Sequence, residues 1–358
     1  MPLIFSGSDA PDLWERLAHE PRDILLYGMG NGADKILAVC ERRNIPIAGV
    51  FASDGFVRGH SFHGMRVRAY AEICAAYPPD GCVVLLAFGS SRPEVLALFD
   101  RVAERYELLI PDVPICGSTL FDRAFFGAHT AEFLAARGLL ADTESRRIFD
   151  LVIKAKLTGS YPALTAAVSP ADTAEILSLS RVSRAGDLGA YNGDTARELI
   201  ALSPGLSYIL CAEPDPRNFK KLTAWAQTVK SPVIDCRRVA VSDRTGELAF
   251  DAAGNRNAGL ATGRATATVP AGTMDGLLAG SPVDYLKFDT EGAEAAALAG
   301  SAGTITRFAP KLKIACYHRA EDLFALPLLV HRLCPAYRLY LRRAAGVPAW
   351  DIDLLCTT

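Results

Sequence analysis

Two hydrophobic patterns alternate along this chain. Short unbroken apolar runs predict buried strands, and longer stretches with apolar residues three or four apart predict amphipathic helices. In the first third, strands are expected at Asp23–Tyr27, 45–51, 83–88 and 108–110. A glycine-rich turn after the first opens a helix with Ile36, Leu37, Val39 and Cys40 inward. Residues 94–106 carry Val95, Leu98, Phe99 and Val102 at helical spacing. Residues 118–160 read as helices with two stripes: Phe121, Phe125, Phe126, Phe133 and Leu134, then Ile148, Phe149, Val152 and Ile153. Gly138 and Gly159 mark helix ends. These helices are expected to bridge two domains and to cap a crevice.

A short helix around 173–179 leads into a second alternating series. Strands are expected just before Asp187, then at 207–212, 233–241, 284–288 and 311–317, with a short one at 247–250. Helices are expected at 195–202, 216–229, 291–300 and 321–333, with a helical turn at 274–278. The segments 337–342 and 350–355 close the series as an antiparallel pair, making seven strands. Residues 252–268, rich in Gly, Ala, Thr and Asn, read as a loop over the site. Arg184 and Gly186 interrupt the first strand of this series, which is otherwise expected to be apolar.

The fold class is therefore α/β in two domains. Residues 1–115 form a small Rossmann-like parallel sheet and 116–175 a helical linker or cap. Residues 176–358 form a seven-stranded, doubly wound sheet. The length of 358 residues agrees with two domains. With 38 basic and 40 acidic residues the chain has no cationic footprint, so nucleic acid is not an expected partner. No apolar run is long enough for a membrane span, and residues 1–12 lack the pattern of a signal peptide. Nine cysteines, scattered without CxxC spacing, read as reduced thiols in a cytoplasm. The pattern leaves self-association into a homo-oligomer open.

The chemistry concentrates at Asp187-Leu188-Gly189-Ala190-Tyr191-Asn192-Gly193-Asp194-Thr195, a strand end, a glycine turn and a helix start. Such a turn aims backbone N–H groups and the positive end of a helix at a ligand. Asp187 can accept from a cationic ligand or orient the loop. Glu213 ends the second strand, where an acid takes both hydroxyls of a ribose. Asp289 ends the fourth strand and His318 follows the fifth. A histidine at a crevice edge is a natural base near neutral pH. Glu291 and Glu294 can join Asp289 on a divalent metal, yet first-turn acids more often complement a helix dipole. No metal is expected.

The segments DLGAYNGDT (187–195), AEPDPRNFKKL (212–222), VAVSDRTGEL (239–248), YLKFDTEGAE (285–294) and PKLKIACYHRAEDL (310–323) resemble the FkbM-type S-adenosylmethionine-dependent methyltransferases in content, order and spacing. The resemblance covers about residues 176–358. It implies an O-methyltransferase acting on sugar or polyketide hydroxyls with S-adenosylmethionine as cofactor. Asp187, Gly189, Ala190, Tyr191, Gly193, Asp194 and Thr195 would surround its methionine end, and Glu213 with Pro214 its ribose. Ser242 or Asp243 would meet its adenine. Asp289 and His318 would serve catalysis, and Asp289 would also bind the cofactor. A small-molecule or glycan acceptor is expected, because the front domain is similar to one found before some sugar-modifying enzymes.

Two rival readings stand. Gly28-Met29-Gly30-Asn31-Gly32-Ala33 followed by Asp54 has the outline of a dinucleotide fingerprint. An oxidoreductase or epimerase using NAD(P) or a nucleotide sugar follows from it, although no Tyr-x-x-x-Lys pair accompanies the turn. A non-catalytic binding module with the same fold is the other.

Overall fold

The computed structural model describes residues 11–57, 59, 61–251, 259–260 and 267–358. The first unit is a six-stranded sheet, ordered β3-β4-β2-β1-β5-β6. Its strands are β1 (Asp23–Tyr27), β2 (Gly49–Ala52), β3 (Ser61–Phe62), β4 (Met65–Ala69), β5 (Cys82–Leu86) and β6 (Glu107–Leu109). All pairs are parallel except β3 with β4. The four expected strands are present. The sequence reading missed β3, β4 and the helix Tyr70–Ala76. In β4 only Val67 is buried, between Arg66 and Arg68, so the strand carries too little apolar signal to stand out.

The helices Arg123–Ala128, Thr130–Leu139, Thr143–Thr158 and Tyr161–Ala166 follow. Phe121, Phe126, Phe133, Phe149 and Val152 are buried in one core with Val84 of β5 and with Ile314 and Leu354 of the second sheet. The linker thus welds the two units by apolar contact. Leu134, expected in the stripe, is 44% exposed instead.

The second unit is a seven-stranded sheet, ordered β16-β17-β15-β14-β7-β8-β9. Its members are β7 (Arg184–Leu188), β8 (Tyr208–Ala212), β9 (Val233–Arg237), β14 (Tyr285–Phe288), β15 (Lys311–Ala315), β16 (Arg338–Arg343) and β17 (Ile352–Thr357). β17 runs antiparallel to both its neighbours, as the closing pair predicts. Between β9 and β14 the chain forms β10 (Ala240–Val241), β11 (Gly246–Asp251), β12 (Gly259–Leu260) and β13 (Ala267–Gly272), a separate four-stranded sheet. The expected third strand 233–241 is therefore split between two sheets. The loop expected at 252–268 lies mostly outside the described residues, and its described parts are strands.

The interrupted strand β7 is complete. Gly186 leaves room for the side chains of Met274 and Leu286, which press where a Cβ would stand. The Arg184 guanidinium lies over the Tyr208 ring at 4.4 Å and donates to the Pro282 carbonyl. From β7 the sheet grows through β8 and β9 on one side and through β14 and β15 on the other. The strand order reverses there, and in such a sheet the crevice beyond the carboxyl ends at the reversal is where ligands bind.

Candidate active site

β7 delivers Gly189 to that crevice. The Gly189 and Ala190 N–H groups donate to the Ala212 carbonyl at the end of β8. Gly189 has φ +84° and Gly193 +83°, in the left-handed region that favours glycine. Packing reinforces both choices. The Asp289 carbonyl fills the space a Cβ on residue 189 would take, and the Trp225 ring does so at residue 193. The helix Asp194–Leu202 starts directly after this bend.

Glu213 sits at the tip of β8 and is 5% exposed. One carboxylate oxygen accepts from the Tyr191 N–H at 2.8 Å, the other from the Asp215 N–H at 2.9 Å. Burial pushes its pKa up to about 7 despite these two donors, with Asp215 and Asp187 adding to the rise. Glu213, Pro214, Gly189, Tyr191, Asp194 and Thr195 line one cavity of about 610 Å³. Lys287, Asp289, Glu291 and His318 line the same cavity. A further wall comes from the first unit, through Gly89–Arg92, packed against Val347 and Trp350. Ser90 and Val347 join there by two backbone hydrogen bonds of 2.7 and 3.0 Å. Residues 116–175, expected to cap the crevice, contribute no lining residue among those described.

Lys287 is the group the sequence reading missed. It lies on β14 directly opposite Asp187 of β7 in the strand register. Its ammonium is 3.3 Å from Asp187 Oδ1 and 3.5 Å from Asp289 Oδ2, and it donates to the Gly189 carbonyl at 3.2 Å. Burial opposes its charge, but the two carboxylates outweigh burial and raise its pKa. Burial pushes the Asp187 carboxyl up. Burial raises that of Asp289 too, yet Lys287 and His318 more than reverse this and hold it below its usual value.

His318 is 2% exposed. Its Nδ1 is 3.0 Å from Glu294 Oε1, and its Nε2 is 3.4 Å from Glu291 Oε2 and 3.6 Å from Asp289 Oδ1. Burial alone would lower its pKa, but Glu294, Asp289 and Glu291 together lift it to about 10. Glu291, beside it, is pushed up to about 7, first by burial. Glu294 does more than complement a helix dipole. Its Oε1 also accepts from the Thr290 and Gly292 N–H groups, which fixes the loop carrying Glu291.

The structure thus gathers Gly189, Tyr191, Asp194, Thr195, Glu213, Pro214, Asp289 and His318 at one cavity. Ala190 and Gly193 shape the bend from behind it. Asp187 lies beneath Lys287 rather than on the cavity wall, because the ammonium of the neighbouring strand takes the position in front of it. Ser242 and Asp243 also stand apart. The Ser242 hydroxyl donates to Asp243 Oδ1, and its carbonyl packs against Gly300. Val239, Ala240 and Val241 line the cavity instead. At the other candidate turn, Asp54 accepts from the Ala71 N–H at 3.0 Å. Gly28 and Gly32 there face the Phe88 ring and the Ala87 backbone. Packing, with φ +117° at Gly28, accounts for both glycines.

Residues 187–345 match the model of the Methyltransferase FkbM domain. Over those residues the second unit is similar to FkbM methyltransferase domains. Among solved structures, the methyltransferase FkbM of Methylobacillus flagellatus aligns over 93% of this chain and 89% of its own, with a TM-score of 0.68 and 18% identity. That match spans both units, so the two-unit fold is shared. An rRNA methylase from Streptococcus thermophilus aligns over 53% of this chain and 98% of its own, at TM-score 0.35 and 12% identity. A Podospora anserina methyltransferase solved with S-adenosylhomocysteine aligns over 68% and 99%, at TM-score 0.30 and 10% identity. No curated protein matches the chain. Among the described residues no helix is long and apolar enough to cross a membrane.

Proposed function

We propose that this protein moves a methyl group from S-adenosylmethionine to a hydroxyl of a sugar, glycan or other small metabolite. The reading is carried by one observation: the side-chain-free bend at Gly189, the buried Glu213 and the Asp289–His318 cluster line one cavity in a unit similar to FkbM domains. The residues suit the cofactor. Each Glu213 oxygen keeps acceptor capacity beyond its backbone N–H partner, so the carboxylate can take two ribose hydroxyls. Charge-assisted bonds of this kind contribute ~1.5–3 kcal/mol each before desolvation. The cavity falls within the ~300–1,000 Å³ typical of small-molecule sites.

When bound, S-adenosylmethionine supplies a methyl carbon on a positively charged sulfur. The chain supplies position and charge. Carboxylates outnumber cations around Lys287, so the cavity favours a sulfonium. Asp289, kept ionised by Lys287 and His318, accepts a hydrogen bond from the acceptor hydroxyl and aims its oxygen. The wall from Gly89–Arg92 and Trp350 offers hydroxyls, a guanidinium and an indole face, which suits the alternating polar and apolar surface of a sugar.

Calorimetry with S-adenosylmethionine and, separately, NAD tests the cofactor. Heat with the first alone supports the reading, whereas heat with NAD alone, or with neither, overturns it. Transfer of labelled methyl to a cell-envelope saccharide fraction tests the acceptor class. Label that stays on the donor with every saccharide argues against a sugar.

A further inference from the structure

We propose that Asp289, Glu291 and His318 bind a divalent cation of the Mg²⁺ or Mn²⁺ type, which holds the acceptor hydroxyl. Asp289, Glu291 and His318 each offer one donor atom, and the three atoms lie within 4.8 Å of one another. Nε2 of His318 stands 3.6 Å from Oδ1 of Asp289 and 3.4 Å from Oε2 of Glu291. Ligands at ~2.0–2.2 Å from one ion, spread somewhat wider than a right angle, stand at such separations. The imidazole nitrogen thus stands at ligand-to-ligand spacing from each carboxylate oxygen.

The imidazole makes the case stronger than acidic residues alone would. His318 is 2% exposed, and its Nδ1 pairs with Glu294, which is itself 1% exposed. An imidazole that gives one N–H to a buried carboxylate and turns its other nitrogen toward the ion is the usual support of a metal-bound histidine. Here that other nitrogen faces two carboxylates. A cation standing among the three atoms satisfies all of them at once.

The surroundings hold the three ligands in place. Lys287 engages Oδ2 of Asp289, which leaves Oδ1 for the cation. The Glu291 loop is fixed by Glu294, by Arg319 Nε donating to the Gly292 carbonyl, and by the Cys116 thiol donating to the Glu291 carbonyl. Two carboxylates and one imidazole favour a hard ion of the Mg²⁺ or Mn²⁺ kind over one that prefers thiolates. All three ligands line the cavity, so the open coordination positions face the acceptor. A hydroxyl bound there has a lowered pKa and releases its proton to water more readily. That last role rests on the methyl-transfer reading above, whereas the cation site itself does not.

The test uses the full chain after chelator treatment. Mn²⁺ is titrated alone and free ion is followed by electron paramagnetic resonance, with S-adenosylhomocysteine binding measured in parallel by calorimetry. One Mn²⁺ per chain is expected, displaced by excess Mg²⁺. Glu291→Gln and His318→Gln should each weaken it at least tenfold, and Glu294→Gln about 10–100-fold, as for removal of a supporting carboxylate. Glu291 is partly exposed, so Glu291→Gln can be read without a folding defect. Absence of a bound ion in the wild type overturns the proposal, as does Mn²⁺ binding equally well to Glu291→Gln. If Mn²⁺ binds at this site and S-adenosylhomocysteine does not, the cation site stands and the methyl-donor reading falls.

Discussion

The carbonyl oxygen of Asp289 occupies the place that a Cβ on residue 189 would need. The tips of β7 and β14 therefore meet backbone to backbone at this point, and the glycine bend is shaped by its neighbour. Gly189 also has φ +84°. Gly189→Ala should cost about 2–4 kcal/mol, from a left-handed alanine plus a displaced backbone. Gly138→Ala, on a helix with open space around it, should be neutral or mildly stabilising. Urea denaturation of the two variants checks the contrast, and equal stability would refute it.

Lys287 has both Asp187 and Asp289 to neutralise, and all three belong to neighbouring strand ends. Lys287→Met removes the cation and leaves the buried Asp187 and the partly exposed Asp289 carboxylates without it. Breaking a buried pair in this way costs about 3–5 kcal/mol. Adding Asp187→Asn should return part of that loss, since it deletes the more enclosed of the stranded charges. If the double variant is no more stable than the single one, the pairing across β7 and β14 is not what holds Lys287.

Much of this arrangement was legible in the sequence, and the exceptions share a cause. The strands of the seven-stranded sheet, its closing antiparallel pair and the glycine bend announce themselves through local pattern. Glu213, Asp289 and His318 follow as residues at the ends of readable strands. Lys287 does not, because a lone lysine within Tyr285–Phe288 acquires meaning only when Asp187, distant in sequence, is placed opposite it. Glu294 is similar: its position in a first helical turn reads as dipole complement, while its partner His318 arrives from another strand. The resemblance puts Ser242 or Asp243 at the adenine, just past an expected strand through residue 241. The chain instead leaves that sheet after Arg237 and enters a second, smaller sheet.

Glu213 gives a pH signature. Its pKa is raised from 4.5 in an ordinary setting to about 7 in the fold, chiefly by burial. A raised carboxyl contributes stability that is complete below the unfolded value and is lost as pH rises through the folded one. Between about pH 5 and 8 the ligand-free wild type should therefore lose stability relative to Glu213→Gln. Ligand affinity should move the opposite way, because ribose hydroxyls donate better to a carboxylate than to a carboxylic acid. S-adenosylhomocysteine should bind more tightly as pH rises through about 7, and Glu213→Gln should bind weakly at every pH. Thermal melts and calorimetry across this range check both slopes. A flat affinity profile in the wild type would remove Glu213 from the binding site.

Trp350 separates the two halves of the proposed reaction. It is 39% exposed and lies on the cavity wall where residues 346–350 meet Gly89 of the first unit. Glu213 and the Gly189 bend are on other elements: the Glu213 carboxylate accepts from Tyr191 and Asp215, and the Gly189 N–H donates to the Ala212 carbonyl. If the first unit and the 346–350 loop form the acceptor's berth, Trp350→Ala deletes a flat apolar face there and leaves the cofactor's contacts intact. Loss of one aromatic platform of this kind is worth about 1–3 kcal/mol, so KM for the acceptor should rise roughly tenfold or more. Affinity for S-adenosylhomocysteine should change less than twofold. A matching loss of cofactor affinity would mean that the wall supports the donor pocket. An unchanged acceptor KM would move the acceptor to another part of the cavity, away from the junction between the units.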